Sequence, residues 1–241
     1  RFHHLFAEML RMRLDRLEAE AIAQLHLRAA HWYEQAGRVD DSLHHALQAG
    51  AAEYAVEVVL HHWQRAIYQG WPNQVLGWLA ALPVQVVQDH PDLNIALAWT
   101  EWIRGKAQTA LIHNDRAQQA YERWLALGKE LPPEWAAIPG EVATLRAMAA
   151  VRFERFDAAL DYSTQAIQML PADTSHARAF GLALMAQAAA LREMGKIEPA
   201  IEVYRQGIAV LLDAGNVVAA GASGPMTTMQ FPGRPQADQD A

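Results

Sequence analysis

The sequence predicts an all-α protein in which helical hairpins follow one another along the chain. The clearest hairpin is "ALREMGKIEPAIEVYRQGIAV", Ala190 to Val210, where one helix ends, a tight turn forms at Gly195 and a second helix starts at Pro199. The same signature recurs upstream, and no segment shows strand-type alternation bounded by hairpin turns. Together these observations indicate a helical repeat.

The signature recurs at five places, here named the turn positions: Gly37, Gly70, Gly105, Glu154 and Gly195. Seven residues before them stand Ala30, Trp63, Ala98, Ala147 and Ala188, and five residues after them stand Ser42, Val75, Ala110, Ala159 and Ala200. Most of these residues are small, and small residues at such places let two helices approach closely.

The spacing of the second set identifies the type of repeat. Its successive members are 33, 35, 49 and 41 residues apart, which fits helix-turn-helix repeats of roughly 34 to 47 residues. The longest step contains "GKELPPEWAAIPG", Gly128 to Gly140, a proline-rich insertion that a single helix does not cross. The prediction is a tetratricopeptide-like helical-hairpin solenoid with a right-handed superhelix. An irregular helical bundle is the alternative.

The two ends of the chain differ from the array, which is expected to cover residues 20–214. In the first segment, apolar residues follow the spacing of an amphipathic helix; they are Phe2, Leu5, Phe6, Met9, Leu10 and Leu14. The last segment, residues 215–241, is rich in Gly, Pro, Gln and Asp, and this composition predicts a disordered tail.

The bulk composition narrows the class of protein. The chain has 241 residues and a net charge of −7, so its charge gives no reason to contact nucleic acid or an anionic membrane directly. There are no cysteines, which excludes disulfides and thiolate zinc sites and makes a cytoplasmic location the expectation. No apolar run approaches the ~20 residues of a membrane-spanning helix.

Four stretches carry a resemblance to a known family. They are "RFHHLFAEMLRMRL" at the start, "RAAHWYEQAGRVDDSLHHALQAGAAEYAVEVV" in the first hairpin, "GWLAALP" at Gly77 to Pro83 and "HPDLNIALAW" at His90 to Trp99. These stretches resemble the MalT-like, LuxR-type, ATP-dependent transcriptional regulators. The resemblance implies that residues 1–19 are the end of a winged-helix or connector helix, and that the array is the sensor region.

The family resemblance implies a function without catalysis. The array would bind an inducer or a partner protein, and binding would control the ATP-dependent self-association of the parent protein and transcription activation. No G-x-x-x-x-G-K-[ST] phosphate loop occurs in the chain, so we expect no cofactor here and ATP only in an upstream domain. The alternative is a free-standing tetratricopeptide scaffold that binds peptides or proteins.

The polar residues indicate no enzyme and no metal site. The histidine pairs, such as His44 with His45 and His61 with His62, are adjacent and point in different directions on a helix, so they do not chelate as i, i+4 pairs do. His45 matches a packing position of the family. Carboxylates such as Asp40 and Asp41 stand at a helix start, where capping explains them.

One surface is a candidate for ligand binding. In tetratricopeptide arrays the first helix of each pair lines a concave groove, through the residues ten, six and three before the turn position. On this basis the candidate ligand-binding residues are Trp99, Trp102, Met148, Met185 and Arg192. Such residues suit an apolar or anionic ligand or a peptide. The alternative is that they pack against neighbouring helices.

Overall fold

A computed structural model describes residues 19–128, 130–170 and 176–213 of the chain. In these residues it contains eleven α-helices, one 3-10 helix and no strand. The helices are α1 (Ala19–Gln35), α2 (Val39–Gln48), α3 (Ala52–Tyr68), α4 (Pro72–Ala81), α5 (Val84–Asp89), α6 (Pro91–Ile103), α7 (Ala107–Ala126), the 3-10 helix (Pro133–Ala137), α8 (Ile138–Arg152), α9 (Phe156–Met169), α10 (Ala177–Glu193) and α11 (Ile197–Asp213).

The architecture confirms the predicted all-α, tetratricopeptide-like fold of helical hairpins. The hairpins are α1–α2, α3–α4, α6–α7, α8–α9 and α10–α11, and α5 is a short extra helix before α6. The chain clusters into two compact units that divide between Leu145 and Arg146, within α8. The predicted connector segment, apart from Ala19, and the predicted tail, 215–241, lie outside the described residues.

All five turn positions adopt a left-handed backbone, which confirms the sequence register. Their φ angles are 72° at Gly37, 85° at Gly70, 78° at Gly105, 57° at Glu154 and 76° at Gly195. Each turn is closed by the same pair of main-chain hydrogen bonds. At Gly195, for example, the turn amide donates to the Arg192 carbonyl and the Lys196 amide donates to the Leu191 carbonyl, both at 2.9 Å. This is the Schellman arrangement.

The residues at fixed distances from the turn positions form the interior of the hairpins. All ten residues seven before and five after the turn positions are buried, with exposed fractions of 4% or less. The absence of a large side chain at most of these places lets the helix backbones approach. The residues that define the predicted repeat are therefore the buried residues between the helices of each hairpin.

Two glycines allow an especially close approach of α10 and α11. A Cβ atom added at Gly181 would lie 2.6 Å from Cγ of Leu211, and one added at Gly207 would lie 3.1 Å from Sδ of Met185. Leu211 is fully buried. Any larger side chain at either glycine would therefore meet packed atoms, so this hairpin is fixed by the small size of its contact residues.

The proline-rich insertion adds a buried tryptophan to the first unit. α7 ends at Ala126, and the 3-10 helix then leads directly into α8. Trp135 of the 3-10 helix is 5% exposed. Its ring packs edge-on against Trp124 at 4.9 Å and against His90 at 5.2 Å between centroids. The insertion thus interrupts the helices, as predicted, and also fills space beside α6.

Candidate ligand-binding surface

The five candidate residues lie on the first helices of three hairpins, as the register requires. Trp99 and Trp102 are on α6 in the first unit. Met148 is on the part of α8 that belongs to the second unit, and Met185 and Arg192 are two turns apart on α10. We describe them within each unit below.

Trp99 is a correction to the predicted surface. Its side chain is only 2% exposed, and its indole Nε1 donates a hydrogen bond to Oε2 of Glu141 at 3.0 Å. Glu141 lies in the first turn of α8 and is itself 7% exposed. The indole is buried because a polar partner on α8 holds its N–H group, as buried tryptophans require. Trp99 is therefore not an accessible contact for a ligand.

Met185 is the second correction. It is 8% exposed, and its sulfur lies over Gly207, the small residue of α11. The close approach of α10 and α11 accounts for its burial, since the unbranched methionine side chain fills the space that the glycine leaves.

Trp102, Met148 and Arg192 are partly exposed, as the sequence predicts. The Arg192 guanidinium already has an ionic partner, because its Nε donates to the Glu193 carboxylate at 2.9 Å. The pair lies at the surface, where such pairs contribute little stability. Trp102 and Met148 present apolar surface, and the role of the three residues in ligand binding stays a prediction.

Accessibility follows distance from the turn in these three hairpins. The residues ten before the turn position, Ile95, Thr144 and Met185, are all buried. The residues three before it, Trp102, Val151 and Arg192, are all partly exposed. At the intermediate position, six before the turn, Trp99 is buried but Met148 and Ala189 are partly exposed. Accessibility along this row of residues thus increases towards the last turn of each first helix.

Asp40 has a role that the sequence did not reveal. It lies in the first turn of α2, but no side-chain hydrogen bond caps this helix. Its carboxylate instead accepts hydrogen bonds from Nε1 of Trp78 at 2.6 Å and from Nε2 of Gln74 at 2.7 Å, both on α4. Asp40 therefore links the second helices of the first two hairpins.

A buried polar group beside α6 was also missed. Burial, opposed by a hydrogen bond from Trp135 and assisted by the nearby Glu141 and Glu134 carboxylates, raises the pKa of Asp92 to about 7. Burial lowers the pKa of His90 to about 4, and its Nδ1 lacks a hydrogen-bond partner in the described residues. The sequence signal for these polar groups was Trp135 in the insertion, and the sequence did not indicate that this tryptophan lies against His90 and Asp92.

The structure offers no metal site among the residues that it describes. No group of three or more His, Asp or Glu side chains there could hold a metal ion. In the same residues, no helix is long and apolar enough to span a membrane. His45, which was interpreted as a packing residue, does pack: its ring stacks on Tyr33, with centroids 5.3 Å apart.

Known proteins match this chain over most of its own length. No protein-family model matches it. The serine/threonine-protein kinase PknK of Mycobacterium tuberculosis (strain ATCC 25618 / H37Rv) is 32% identical over 161 residues, which are 65% of this chain and 14% of PknK. The HTH-type transcriptional regulator MalT of Yersinia pestis (strain Pestoides F) is 27% identical over 170 residues, which are 70% of this chain and 18% of MalT.

The chain is similar to a part of each of these proteins. The match spans less than a fifth of either relative. Among solved structures, the crystal structure of MamA protein covers 80% of this chain and 94% of its own, with a TM-score of 0.51 and 12% identity. That likeness supports the fold alone. The similarity to MalT agrees, in a coarse form, with the family resemblance in the sequence.

Proposed function

We propose that this chain is the non-catalytic sensor and protein-interaction region of a MalT-like transcriptional regulator. The observation that carries the proposal is the array of helical hairpins together with its similarity to part of MalT. Helical-repeat arrays expose extended surfaces made of equivalent residues, which suit the binding of a partner or an inducer.

The similarity to PknK supports a role on the input side. One relative is named a kinase and the other a transcriptional regulator, yet the segment they share with this chain is a small part of each. A segment common to proteins with different outputs is best explained as a module that receives a signal. ATP-dependent oligomerisation would then be controlled through this module, with ATP bound by an upstream domain.

Within the array, the proposed contact for an inducer or partner peptide is the last turn of the first helices. Trp102 on α6 is the best candidate in the first unit, because it is partly exposed, and Ile103 beside it is 45% exposed. Exposed aromatic and aliphatic side chains are typical anchors of peptide recognition. Trp99 has no part in this contact, because Glu141 and its surroundings bury it.

The proposal is tested first on the gene. An in-frame G-x-x-x-x-G-K-[ST] segment upstream of the Arg1 codon would support the regulator, and its absence from the complete reading frame would favour the free-standing scaffold. In the full-length product, sedimentation should show ATP-dependent association. Trp102→Ala should alter its control, whereas Trp71→Ala, which removes an indole that is 52% exposed and lies outside the first helices, should not.

A further inference from the structure

Two histidines on neighbouring helices of the first hairpin share a short hydrogen bond. His26 lies on α1 and His45 on α2, and their Nδ1 atoms are 2.8 Å apart. The two ring centroids are 5.0 Å apart. Both side chains are partly exposed, so protons from solvent can reach them.

The chemistry of this contact makes it sensitive to protons. A hydrogen bond between two Nδ1 atoms needs one ring to donate its N–H and the other to accept through a lone pair. An imidazolium carries N–H groups on both nitrogens and accepts nothing. When both rings are protonated, the bond is lost and two positive charges stand in contact.

The surrounding groups favour the neutral form of His45. Burial lowers the pKa of His45, and the charges of His26 and His44 lower it further, against the carboxylate of Asp41. The Tyr33 ring stacks on the His45 ring. The Cζ atom of Arg38 lies 4.6 Å from the centroid of the same Tyr33 ring. From α3, the titratable side chains Tyr54, His61 and His62 are directed at Glu34 instead.

A second contact of α1, made by Glu34, joins this helix to α3. The Glu34 carboxylate accepts a hydrogen bond from Oη of Tyr54 at 2.5 Å and lies 3.4 Å from Nδ1 of His61 and Nε2 of His62. Burial raises the pKa of Glu34, but the hydrogen bonds from Tyr54, His61 and His62 outweigh it, so the pKa is lowered overall.

We propose that α1 is a proton-responsive element of the first hairpin. At neutral pH the His26–His45 bond holds α1 to α2. On acidification the bond breaks and the paired charges push α1 away from α2, while Glu34 keeps its contact with α3. The element changes its contacts within the range in which histidines titrate, which makes the start of the array sensitive to pH.

The sign of the effect follows from linkage. Because the pKa of His45 is lowered in the folded chain, the stability of this contact is fully present above the ordinary histidine value of 6.5 and is lost as pH falls below it. Because the pKa of Glu34 is lowered, its contact loses stability only below the ordinary carboxyl value of 4.5, outside the range in which His45 responds. A local measurement on α1 separates the His26–His45 bond from the other titrating groups of the chain.

The test is hydrogen exchange of the α1 amides in the 241-residue chain, expressed as protection relative to intrinsic exchange. Between about pH 7.5 and about pH 5, protection should fall severalfold, because loss of the bond lowers the free energy of local opening of α1. In His45→Gln, or in His26→Gln if the first variant folds poorly, the dependence on pH should disappear, because glutamine keeps polarity without a titratable charge.

His44→Gln is the matched control. It removes an exposed histidine from the same helix but leaves the His26–His45 bond in place. Because the charge of His44 contributes to the lowered pKa of His45, the fall in protection should become smaller but should remain. Protection of α1 that is independent of pH in the unaltered chain would overturn the proposal. So would a loss of the pH effect in His44→Gln as large as in His45→Gln, since general histidine charge would then be the cause.

Discussion

The indole Nε1 of Trp99 donates a hydrogen bond to Oε2 of Glu141 at 3.0 Å, and this bond links α6 to the first turn of α8. Both side chains are buried. We expect Trp99→Ala to destabilise the chain by roughly 3–5 kcal/mol, because it opens a cavity and removes a donor from a buried carboxylate. Urea denaturation measures the effect. Trp102→Ala is the control and should cost far less; equal costs would contradict the assignment of Trp99 to the interior.

The glutamate at the fourth turn position gives a prediction of opposite sign. Glu154 has a φ of 57°, a region that costs L-residues with a side chain roughly 1–2 kcal/mol. Glu154→Gly removes this strain from the folded chain but increases the conformational entropy of the unfolded chain. The expected net effect is a gain of about 0.5–1 kcal/mol in the free energy of unfolding. The comparison is Gly105→Ala, where a Cβ atom would meet nothing within 4 Å. Its expected loss of about 1 kcal/mol comes from the backbone alone; a gain there would refute the argument.

Gly181 and Gly77 should respond to alanine in opposite ways, although both lie inside helices. At Gly181 the new methyl group would lie 2.6 Å from Leu211 Cγ, so Gly181→Ala should cost roughly 1–3 kcal/mol through overpacking. At Gly77 nothing lies within 4 Å, and Gly77→Ala should stabilise by up to about 1 kcal/mol through helix propensity. Thermal unfolding of the two variants tests the prediction, and a stabilised Gly181→Ala would show that the α10–α11 contact can yield.

The carboxyl group of Asp92 should make stability fall as pH rises. Its pKa is raised to about 7 from an ordinary 3.8, so the unfolded chain releases this proton first. Below a pH of about 3.8 the carboxyl is protonated in both the folded and the unfolded chain and does not affect stability. As the pH rises from there towards about 7, only the unfolded chain loses the proton, and the free energy of unfolding falls. Asp92→Asn should unfold at a higher temperature than the unaltered chain at about pH 8, and the difference should shrink towards about pH 4.

The exposed Asp157 supplies the control for that titration. Asp157→Asn makes the same substitution at an exposed side chain in the first turn of α9 and therefore controls for the loss of one carboxyl group. A profile of Asp92→Asn that is parallel to that of the unaltered chain would mean that the carboxyl is solvated.

Nucleotide binding gives a direct test of the proposed division of labour. The sequence has no G-x-x-x-x-G-K-[ST] loop, the glycine-rich segment by which P-loop proteins hold nucleotide phosphates at a helix start. Titration of ATP with Mg²⁺ into the 241-residue chain should release no heat of binding in calorimetry. Saturable binding would contradict the view that ATP is bound upstream.

The sequence predicted the hairpins because their turns leave a local trace. Glu154 shows this best: nothing in its side chain suggests a turn, but its distance from Ala147 and Ala159 places it in the register, and the structure gives it a left-handed φ. Small residues at fixed spacing reflect backbone contacts between adjacent helices, which depend on near neighbours in the chain.

The accessibility of the candidate surface could not be predicted in the same way. Trp99 and Trp102 are three residues apart on one helix, and only the first is covered, because Glu141 on α8 lies against it. The partner of Asp40 was equally remote, since Trp78 is on α4. The periodicity of a sequence shows which residues share one face of a helix. Whether each of these residues is buried depends on which other helices pack over that face.

The closure of the turns by main-chain bonds has a consequence for how such arrays change over evolutionary time. Four second helices begin without a hydrogen bond from a capping side chain; they are α2, α4, α7 and α9. The turns before these helices are therefore closed without a capping side chain. One left-handed residue per hairpin is required, and Glu154 shows that even a glycine is dispensable there. Side chains next to the turns, Trp102 and Arg192 among them, can therefore change without altering the main-chain bonds that close each hairpin.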